Sequence, residues 1–322
     1  MTYSAARLSA RRLRVLTWHV HGNYLYYLSQ VPHDLYLVTD AERTTHHTGR
    51  SGSLPWGANV HDAALENLQE MQFDLVLFQS RAEWEAADRT LGEAHKALPR
   101  IYLEHDPPQV HPTDTRHWVD DATTLLVHVT PFNALMWDAG RTPVRVIEHG
   151  VKLLAEAKYS GTRECGIVVV NNLDQRGRRL GHDIYERVRE TVPLELVGMG
   201  SERCGGLGEI ENARLPARVA EHRFFFNPIR YTSLGLALIE AMMVGTPVVA
   251  LATTELATVF RNQHDGIVDT RVETLAAEMR ALLRDPARAR EIGEQGRRTA
   301  CERFHIERFV TDWCAAFDEV TC

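Results

Sequence analysis

The sequence predicts an α/β fold with two doubly wound, parallel-sheet domains. First, 322 residues suit two domains of roughly 150 residues each. Second, apolar runs of strand length alternate with segments of helical periodicity along the whole chain, which is typical of parallel strands covered by helices. Third, the composition is that of an ordinary globular protein, with 44% hydrophobic and 25% charged residues.

Six short apolar runs predict the strands of the first domain: Leu13–Trp18, Leu35–Val38, Leu75–Phe78, Ile101–Leu103, Thr124–Val129 and Val144–Ile147. Between them, Ala63–Met71 and Ala82–Leu98 have helical spacing. The segment 43–61 is rich in Thr, His, Gly and Ser, and we predict a long loop there.

A second series begins after Gly150. Its predicted strands are Gly166–Val170, Leu194–Val197, Phe224–Phe226 and Pro247–Leu251. Its predicted helices are His182–Thr191, Leu236–Met243, Leu275–Leu283 and a long amphipathic stretch from Ala287 to Val320. The two series meet near Glu148–Val151, so we predict domains of residues 1–149 and 150–322. Because ligands of such sheets bind at the carboxyl ends of the strands, two facing sheets predict a cleft between the domains.

Composition also excludes several classes of protein. No apolar run reaches the ~18 residues of a membrane span, and the N-terminus has no apolar signal-peptide core, so we expect a cytoplasmic protein. The five cysteines are scattered and form no CxxC pair, which disfavours a disulfide framework or a zinc site. A net charge of −7 disfavours nucleic acid as a partner.

The segment 227–250 carries the strongest functional signal. A strand ending at Phe226 leads through a proline-containing loop into a helix that begins near Gly235. The free N–H groups of Leu234, Gly235 and Leu236 would point at an anion, with the helix dipole adding to the attraction, and a diphosphate is the natural occupant. Glu240 follows early on this helix, where its carboxylate can accept hydrogen bonds from two vicinal hydroxyls, such as those of a ribose.

This segment resembles the group 1 family of retaining glycosyltransferases, whose pattern is a Pro-Ser loop, Glu-Gly-Phe-Gly, a Leu-Glu-Ala-Met helix and Gly-x-Pro-Val-Val-Ala. The matching residues are Pro228, Gly235, Glu240, Ala241, Met242, Gly245, Pro247, Val248, Val249 and Ala250. The first family glutamate falls at Thr232, and the Gly-Phe after it falls at Ser233-Leu234. The family carboxylate contacts the donor sugar, so Thr232 leaves the identity of that sugar open.

Weaker elements resemble the family in the same order along the chain: Arg145–Val151, Leu194–Gly200, His264–Val268, Leu282–Pro286 and Arg303-Phe304. The resemblance implies the GT-B fold, in which two Rossmann-like domains face a central cleft. It assigns residues 1–149 to the acceptor side and residues 150–322 to the nucleotide sugar, with the final helix packing back on the first domain. It implies metal-independent sugar transfer with retention of configuration, from a nucleotide-diphosphate donor as co-substrate. The acceptor stays open among glycans, lipid-linked glycans and small molecules.

The loop 170–182 is a second candidate site. In the family this loop carries an arginine and a lysine that neutralise the donor diphosphate, but here Asn171-Asn172 replaces the usual Gly-Arg. The cation must then come from Arg176, Arg178 or Arg179. We favour Arg178 and Arg179, because a guanidinium can hold a phosphate bidentately and stabilise the leaving diphosphate. The alternative is a solvated basic loop.

Two candidates lie in the first domain. His105 ends a predicted strand in His-Asp-Pro-Pro, which resembles the family's His-x-Pro element near the donor sugar and acceptor; a structural histidine is the alternative. Gly22 loosely matches the family's glycine-rich loop beside the acceptor and the donor phosphates. His19 and His21 would share one face of a strand, but no third ligand has recognisable spacing, so we predict no metal site.

Competing enzyme classes lack their motifs. Gly198 and Gly200 offer two glycines of a dinucleotide-binding pattern, but Arg203 occupies the third place. Neither a nucleophile elbow nor a Walker loop is present. Two alternatives stay open: a sugar-nucleotide epimerase of the same fold and, because of Thr232, a non-catalytic nucleotide-sugar-binding partner protein.

Overall fold

The computed structural model describes residues 11–153 and 156–322. Residues 1–10, where the sequence predicts no signal peptide, lie outside the described residues. The chain divides into two units. The first contains the described residues up to Gly150 together with Ile306–Cys322, and the second contains Val151–His305. Each unit is built on one parallel β-sheet, which confirms the predicted fold class.

The first unit contains a seven-stranded sheet in the order β3-β2-β1-β4-β5-β6-β7. Its strands are β1 (Arg14–Thr17), β2 (Asp34–Thr39), β3 (Val60–Ala64), β4 (Leu75–Phe78), β5 (Arg100–Glu104), β6 (Thr124–His128) and β7 (Val144–Val146). The central β4 is buried along its whole length, because helices cover both faces of a parallel sheet. The chain reverses its direction of travel across the sheet between β1 and β4.

The helices of the first unit are α1 (Gly22–Leu28), α2 (Arg81–Thr90), α3 (Glu93–Lys96), α4 (Pro131–Met136) and α12 (Ile306–Thr321). A reciprocal capping box fixes the start of α2: Ser80 accepts a hydrogen bond from the Glu83 N–H, and the Glu83 carboxylate accepts one from the Ser80 N–H. The C-terminal α12 packs into this unit, where Trp313 Nε1 donates to the buried Tyr24 hydroxyl at 3.2 Å.

The second unit contains a five-stranded sheet in the order β12-β11-β10-β8-β9. Its strands are β8 (Arg163–Val169), β9 (Leu194–Val197), β10 (His222–Asn227), β11 (Val248–Leu251) and β12 (Ile267–Asp269). Its helices are α5 (Leu173–Arg176), α6 (His182–Arg189), α7 (Leu215–Glu221), α8 (Leu236–Val244), α9 (Leu256–Val259), α10 (Val272–Arg284) and α11 (Pro286–Arg303). Strands β8 and β10 pair directly and mark the point where this sheet reverses direction.

Two predicted elements of the first domain are wrong. The segment Ala63–Met71 is not one helix, because β3 pairs with β2 over five residues up to Ala64 and a 3₁₀ turn follows at Leu65–Glu70. Backbone pairing with a neighbouring strand overrides a local helical pattern. The segment Ala82–Leu98 is interrupted at Leu91-Gly92, where the backbone becomes extended between α2 and α3.

The turn that enters α6 lies against the loop after β10. Gly181 has a left-handed backbone, with φ 82° and ψ 26°, and a Cβ added there would lie 2.0 Å from the Pro228 carbonyl oxygen. Gly205 has nearly the same backbone, with φ 74° and ψ 20°, but its nearest neighbour would be 3.7 Å away, on Arg189. Both glycines therefore relieve backbone strain, and only Gly181 also permits a close approach.

We expect Gly181→Ala to lower the free energy of unfolding by about 3 kcal/mol or more, as left-handed strain adds to a backbone clash. Gly205→Ala is the matched control and should cost only about 1–2 kcal/mol of strain. Urea denaturation followed by circular dichroism measures both values. Equal losses in the two variants would show that the approach to Pro228 is not tight.

Candidate functional site

The two predicted donor-binding loops of the second unit lie side by side. One follows β8 (residues 170–181) and the other follows β10 (residues 228–235), so both emerge at the carboxyl edge where the sheet reverses direction, the usual ligand position in such sheets. Backbone hydrogen bonds join them, since the N–H groups of Arg230 and Tyr231 donate to the Arg179 carbonyl oxygen at 3.0 and 3.3 Å.

The arginines of these loops have different partners. The Asp183 carboxylate on α6 accepts a hydrogen bond from Arg178 Nη1 at 2.6 Å. Its two oxygens also accept hydrogen bonds from Arg230 at 2.5 and 2.7 Å. The Arg230 hydrogen bonds hold the pKa of the Asp183 carboxyl below its usual value. Arg179 is half-buried, and its guanidinium has no carboxylate partner among the described residues. Arg179 is thus the cation that can take an anionic ligand without first breaking an ion pair.

A second arginine–aspartate pair supports the loop after β8 from the β9 side. Arg203 donates to both carboxylate oxygens of Asp174 at 2.7 and 2.8 Å and to Asn172 Oδ1 at 3.1 Å. These hydrogen bonds lower the pKa of Asp174 to about 2. Asn172 itself has a left-handed backbone, with φ 50°. Sequence reasoning missed this support because the two ends of the pair are 29 residues apart.

Helix α8 begins at Leu236, with Gly235 as a cap residue that offers no side-chain acceptor. The N–H groups of Leu236 and Ala237 have no hydrogen-bond acceptor within the described part of the chain, and a Cβ added to Gly235 would meet nothing within 4 Å. The unpaired N–H groups at the N-terminus of α8 therefore border open space. Because this end of the helix dipole is positive, the position favours binding of an anion. Glu240 lies in the second turn and is only 9% exposed.

Thr232 lies in the loop between β10 and α8. Its side chain is half-buried, and its hydroxyl makes no hydrogen bond with any described residue. The segment after β11 supports this loop, because Thr253 Oγ1 donates to the Ile229 carbonyl at 3.1 Å and Thr254 Oγ1 to the Ser233 carbonyl at 3.4 Å. The threonine hydroxyl is therefore available to a ligand on a supported loop.

His105 lies at the carboxyl edge of the first sheet, directly after β5. Its Nε2 donates to Gln79 Oε1 at 3.2 Å, and Gln79 in turn donates to Thr17 Oγ1 and to the Trp18 carbonyl at 3.0 and 2.9 Å. The ring centroid of His21 is 4.2 Å from that of His105. Burial, together with the neighbouring imidazoles, holds the pKa of His105 well below its usual value, so the ring is neutral.

The structure corrects the predicted arrangement of the first loop. Strand β1 ends at Thr17, so His19 and His21 are not on a strand and do not share a face. His19 Nδ1 contacts the Gly49 carbonyl at 2.9 Å and Ser51 Oγ at 2.8 Å, whereas His21 occupies the N-cap position of α1 without a capping side-chain hydrogen bond. Gly22 is the first residue of that helix. In the described ranges, no three metal-ligating side chains come together.

Known glycosyltransferases are similar to the part of this chain that contains the loop after β10 and helix α8. The family model described as "Glycosyl transferase-like" matches residues 176–315, which include the loop after β10 and helix α8. A GDP-mannose-dependent alpha-(1-6)-phosphatidylinositol dimannoside mannosyltransferase of Mycobacterium tuberculosis is 24% identical over 202 residues, or 62% of this chain and 44% of that protein. Over this matched part, the chain is similar to the group 1 glycosyltransferases.

Solved structures support the GT-B fold over nearly the whole chain. Sucrose-phosphate synthase from Thermosynechococcus elongatus matches with a TM-score of 0.69 at 17% identity, covering 96% of this chain and 99% of that one. Anabaena Alr3699/HepE in complex with UDP-glucose matches with a TM-score of 0.68 at 14% identity, covering 96% and 100%. The chain spans less than half the length of the curated relatives it matches. None of its described helices is long and apolar enough to cross a bilayer.

A buried polar cluster lies beside His105 in this GT-B chain. Glu104 ends β5 and contacts His117 Nε2 at 3.1 Å, and burial raises the pKa of Glu104 to about 8 and lowers the pKa of His117 to about 4. His128 lies opposite Glu104 in the register of β5 and β6. Burial lowers the pKa of His128 to about 3, and neither of its ring nitrogens has a hydrogen-bond partner in the described chain.

We expect His128→Leu to stabilise the protein more at pH 5 than at pH 8. Unfolded histidine takes up a proton near pH 6.5, but folded His128 does so only near pH 3. This difference costs the folded state about 2 kcal/mol at pH 5. Leucine removes that cost and the buried unpaired nitrogens. Urea denaturation at both pH values gives the two differences, and an equal effect of the substitution at pH 5 and pH 8 would contradict the pKa assignment.

Proposed function

We propose that this protein transfers a sugar from a nucleotide-diphosphate donor to an acceptor, with retention of anomeric configuration. One observation carries the proposal: two hydrogen-bonded loops lie at the carboxyl edge of the second sheet, one carrying Arg178 and Arg179 and the other leading into the N-terminus of α8. Positive side chains beside unpaired N–H donors match a diphosphate group in both charge and hydrogen bonding.

Each donor-binding residue then has a role. The N–H groups of Leu234, Gly235 and Leu236 bind the diphosphate together with Arg179. Arg178 joins them by exchanging Asp183 for a phosphate oxygen. Glu240 accepts hydrogen bonds from the ribose hydroxyls.

Thr232 and Ser233 border the donor sugar. Because Thr232 offers one hydroxyl in place of the family's carboxylate, we infer a relaxed or unusual preference for the donor sugar. The base is open between two candidates: one relative is named for GDP-mannose and one structure of the same fold holds UDP-glucose.

His105 and Gly22 belong to residues 1–149, the proposed acceptor side. The neutral imidazole of His105 is held by Gln79 and can position a sugar or acceptor hydroxyl without attracting the diphosphate. Departure of the diphosphate and attack of the acceptor occur on one face of the sugar, so positioning and charge stabilisation supply most of the catalysis. The arginines and the helix N-terminus supply the positive charge, and we therefore propose that the transfer needs no metal.

The test is turnover of UDP-glucose, UDP-N-acetylglucosamine and GDP-mannose in excess EDTA, with glycan, lipid-linked glycan and small-molecule acceptors. We expect acceptor-dependent release of nucleoside diphosphate and a glycoside product that keeps the anomeric configuration of the donor. Epimerisation of the nucleotide sugar without transfer would overturn the proposal, as would loss of turnover in EDTA for its metal-independent part.

We expect Glu240→Gln to weaken the binding of the nucleoside diphosphate by about 1–3 kcal/mol, because a charged hydrogen-bond acceptor is lost from a buried position. Calorimetry with UDP and GDP measures the change. Glu291→Gln, on the exposed side of α11, removes the same charge from the same unit and serves as the control. Unchanged affinity in Glu240→Gln would remove the ribose assignment.

We expect the double variant Arg178→Ala/Arg179→Ala to lower turnover and affinity for the nucleoside diphosphate while sparing affinity for the nucleoside, since only the diphosphate carries the charge that these side chains meet. Arg280→Ala/Arg284→Ala on α10 makes the same change in net charge and should leave both affinities unaltered. If nucleoside and nucleoside diphosphate weaken equally, the two arginines do not act on phosphate.

A further inference from the structure

A cavity of about 400 Å³ opens in the first unit, outside the donor-binding loops. We call it the tryptophan cavity; its wall includes Arg81, Glu104, Asp106, Gln109, Trp118 and Trp137. Glu104 is the last residue of β5, Asp106 and Gln109 follow it, and Arg81 follows β4, so the cavity lies at the carboxyl edge of the first sheet. Its volume lies within the roughly 300–1,000 Å³ of small-molecule sites.

Aromatic rings form part of this wall in a fixed geometry. Trp118 and Trp137 pack edge to face, with ring centroids 5.3 Å apart and an interplanar angle of 85°. Trp137 Nε1 donates to the Asp106 carbonyl at 2.9 Å, and the Arg81 guanidinium lies 5.5 Å from the centroid of the Trp118 ring. The indoles are therefore held in place before any ligand arrives, which lowers the entropic cost of binding.

The two arginines of the wall already have carboxylate partners: Arg81 donates to Glu85 and Arg116 to Asp120, each at 2.6 Å. Gln109 and Thr115 add uncharged groups that can donate or accept hydrogen bonds. A diphosphate requires an excess of positive charge, which this wall does not have. Trp118 is half-buried, and its hydrophobic surface beside these polar groups matches a sugar ring, which presents C–H bonds on its faces and hydroxyls around its edge.

We propose that the tryptophan cavity binds a sugar ring of the acceptor, so that the acceptor is a carbohydrate or carries one. This inference rests on the proposed transferase function. His105 lies between Glu104 and Asp106 in the chain, and both of these residues line the cavity. A sugar in the cavity is thus held by the same short segment that carries the proposed catalytic histidine.

The first experiment measures binding by saturation-transfer NMR, using methyl α-D-glucopyranoside and methyl α-D-mannopyranoside as probes and the acyclic polyol sorbitol as the control ligand. We expect saturable binding of at least one glycoside and none of sorbitol. Arg81→Ala and Trp118→Leu should each weaken glycoside binding at least fivefold, whereas Arg89→Ala, on the exposed face of the same helix, should not. Absence of glycoside binding, or binding unaffected by both cavity substitutions, would overturn the proposal.

The second experiment asks whether the bound sugar belongs to the acceptor. With an acceptor found in the turnover assay, Arg81→Ala should raise KM for the acceptor at least fivefold and leave calorimetric affinity for UDP and GDP unchanged. A matching fall in nucleotide affinity would assign the cavity to the donor and overturn the inference. If the protein binds UDP or GDP and turns over a donor but the Arg81→Ala acceptor KM is unchanged, the transferase function stands and the acceptor inference fails.

Discussion

The direct pairing of β8 with β10 is the interaction on which the proposed donor site depends. These strands are far apart in sequence, yet the sheet places them side by side where the chain reverses direction. Only this pairing brings the loop with Arg178 and Arg179 against the loop that enters α8. Gly181 completes the approach, because no side chain fits between its Cα and the Pro228 carbonyl.

The arginines near these two loops fall into two groups according to their carboxylate partners. Arg203 and Arg230 donate bidentately to Asp174 and Asp183, which fixes the loop after β8 at both ends. Arg178 shares Asp183 through a single hydrogen bond, and Arg179 has no carboxylate partner in the described chain. A bidentate pair is geometrically more demanding to break than a single contact. A diphosphate would therefore recruit Arg179 and Arg178 while Arg203 and Arg230 keep the loop in shape.

Local sequence patterns predicted the elements whose stability is mostly local. The bounds of Leu75–Phe78 and Leu194–Val197 are as predicted, since a buried parallel strand is a continuous apolar run between polar turns. Strand β3 was missed because its pairing with β2 carries no local signal. Partnerships such as Arg230 with Asp183, 47 residues apart, or the approach of His21 to His105, depend on topology and cannot be obtained from spacing.

The two carboxyl edges differ in the charge that they offer to a ligand. The edge of the second sheet presents arginines and helix N–H groups, which favour an anion. At the edge of the first sheet, burial and mutual repulsion hold the pKa of His105 well below its usual value, so its imidazole carries no charge although it lies among other histidines. Because Nε2–H donates to Gln79, Nδ1 of the neutral ring is left as an acceptor that could orient a hydroxyl. The depressed pKa of His105 therefore leaves this edge with an uncharged imidazole, in contrast to the arginines at the edge of the second sheet.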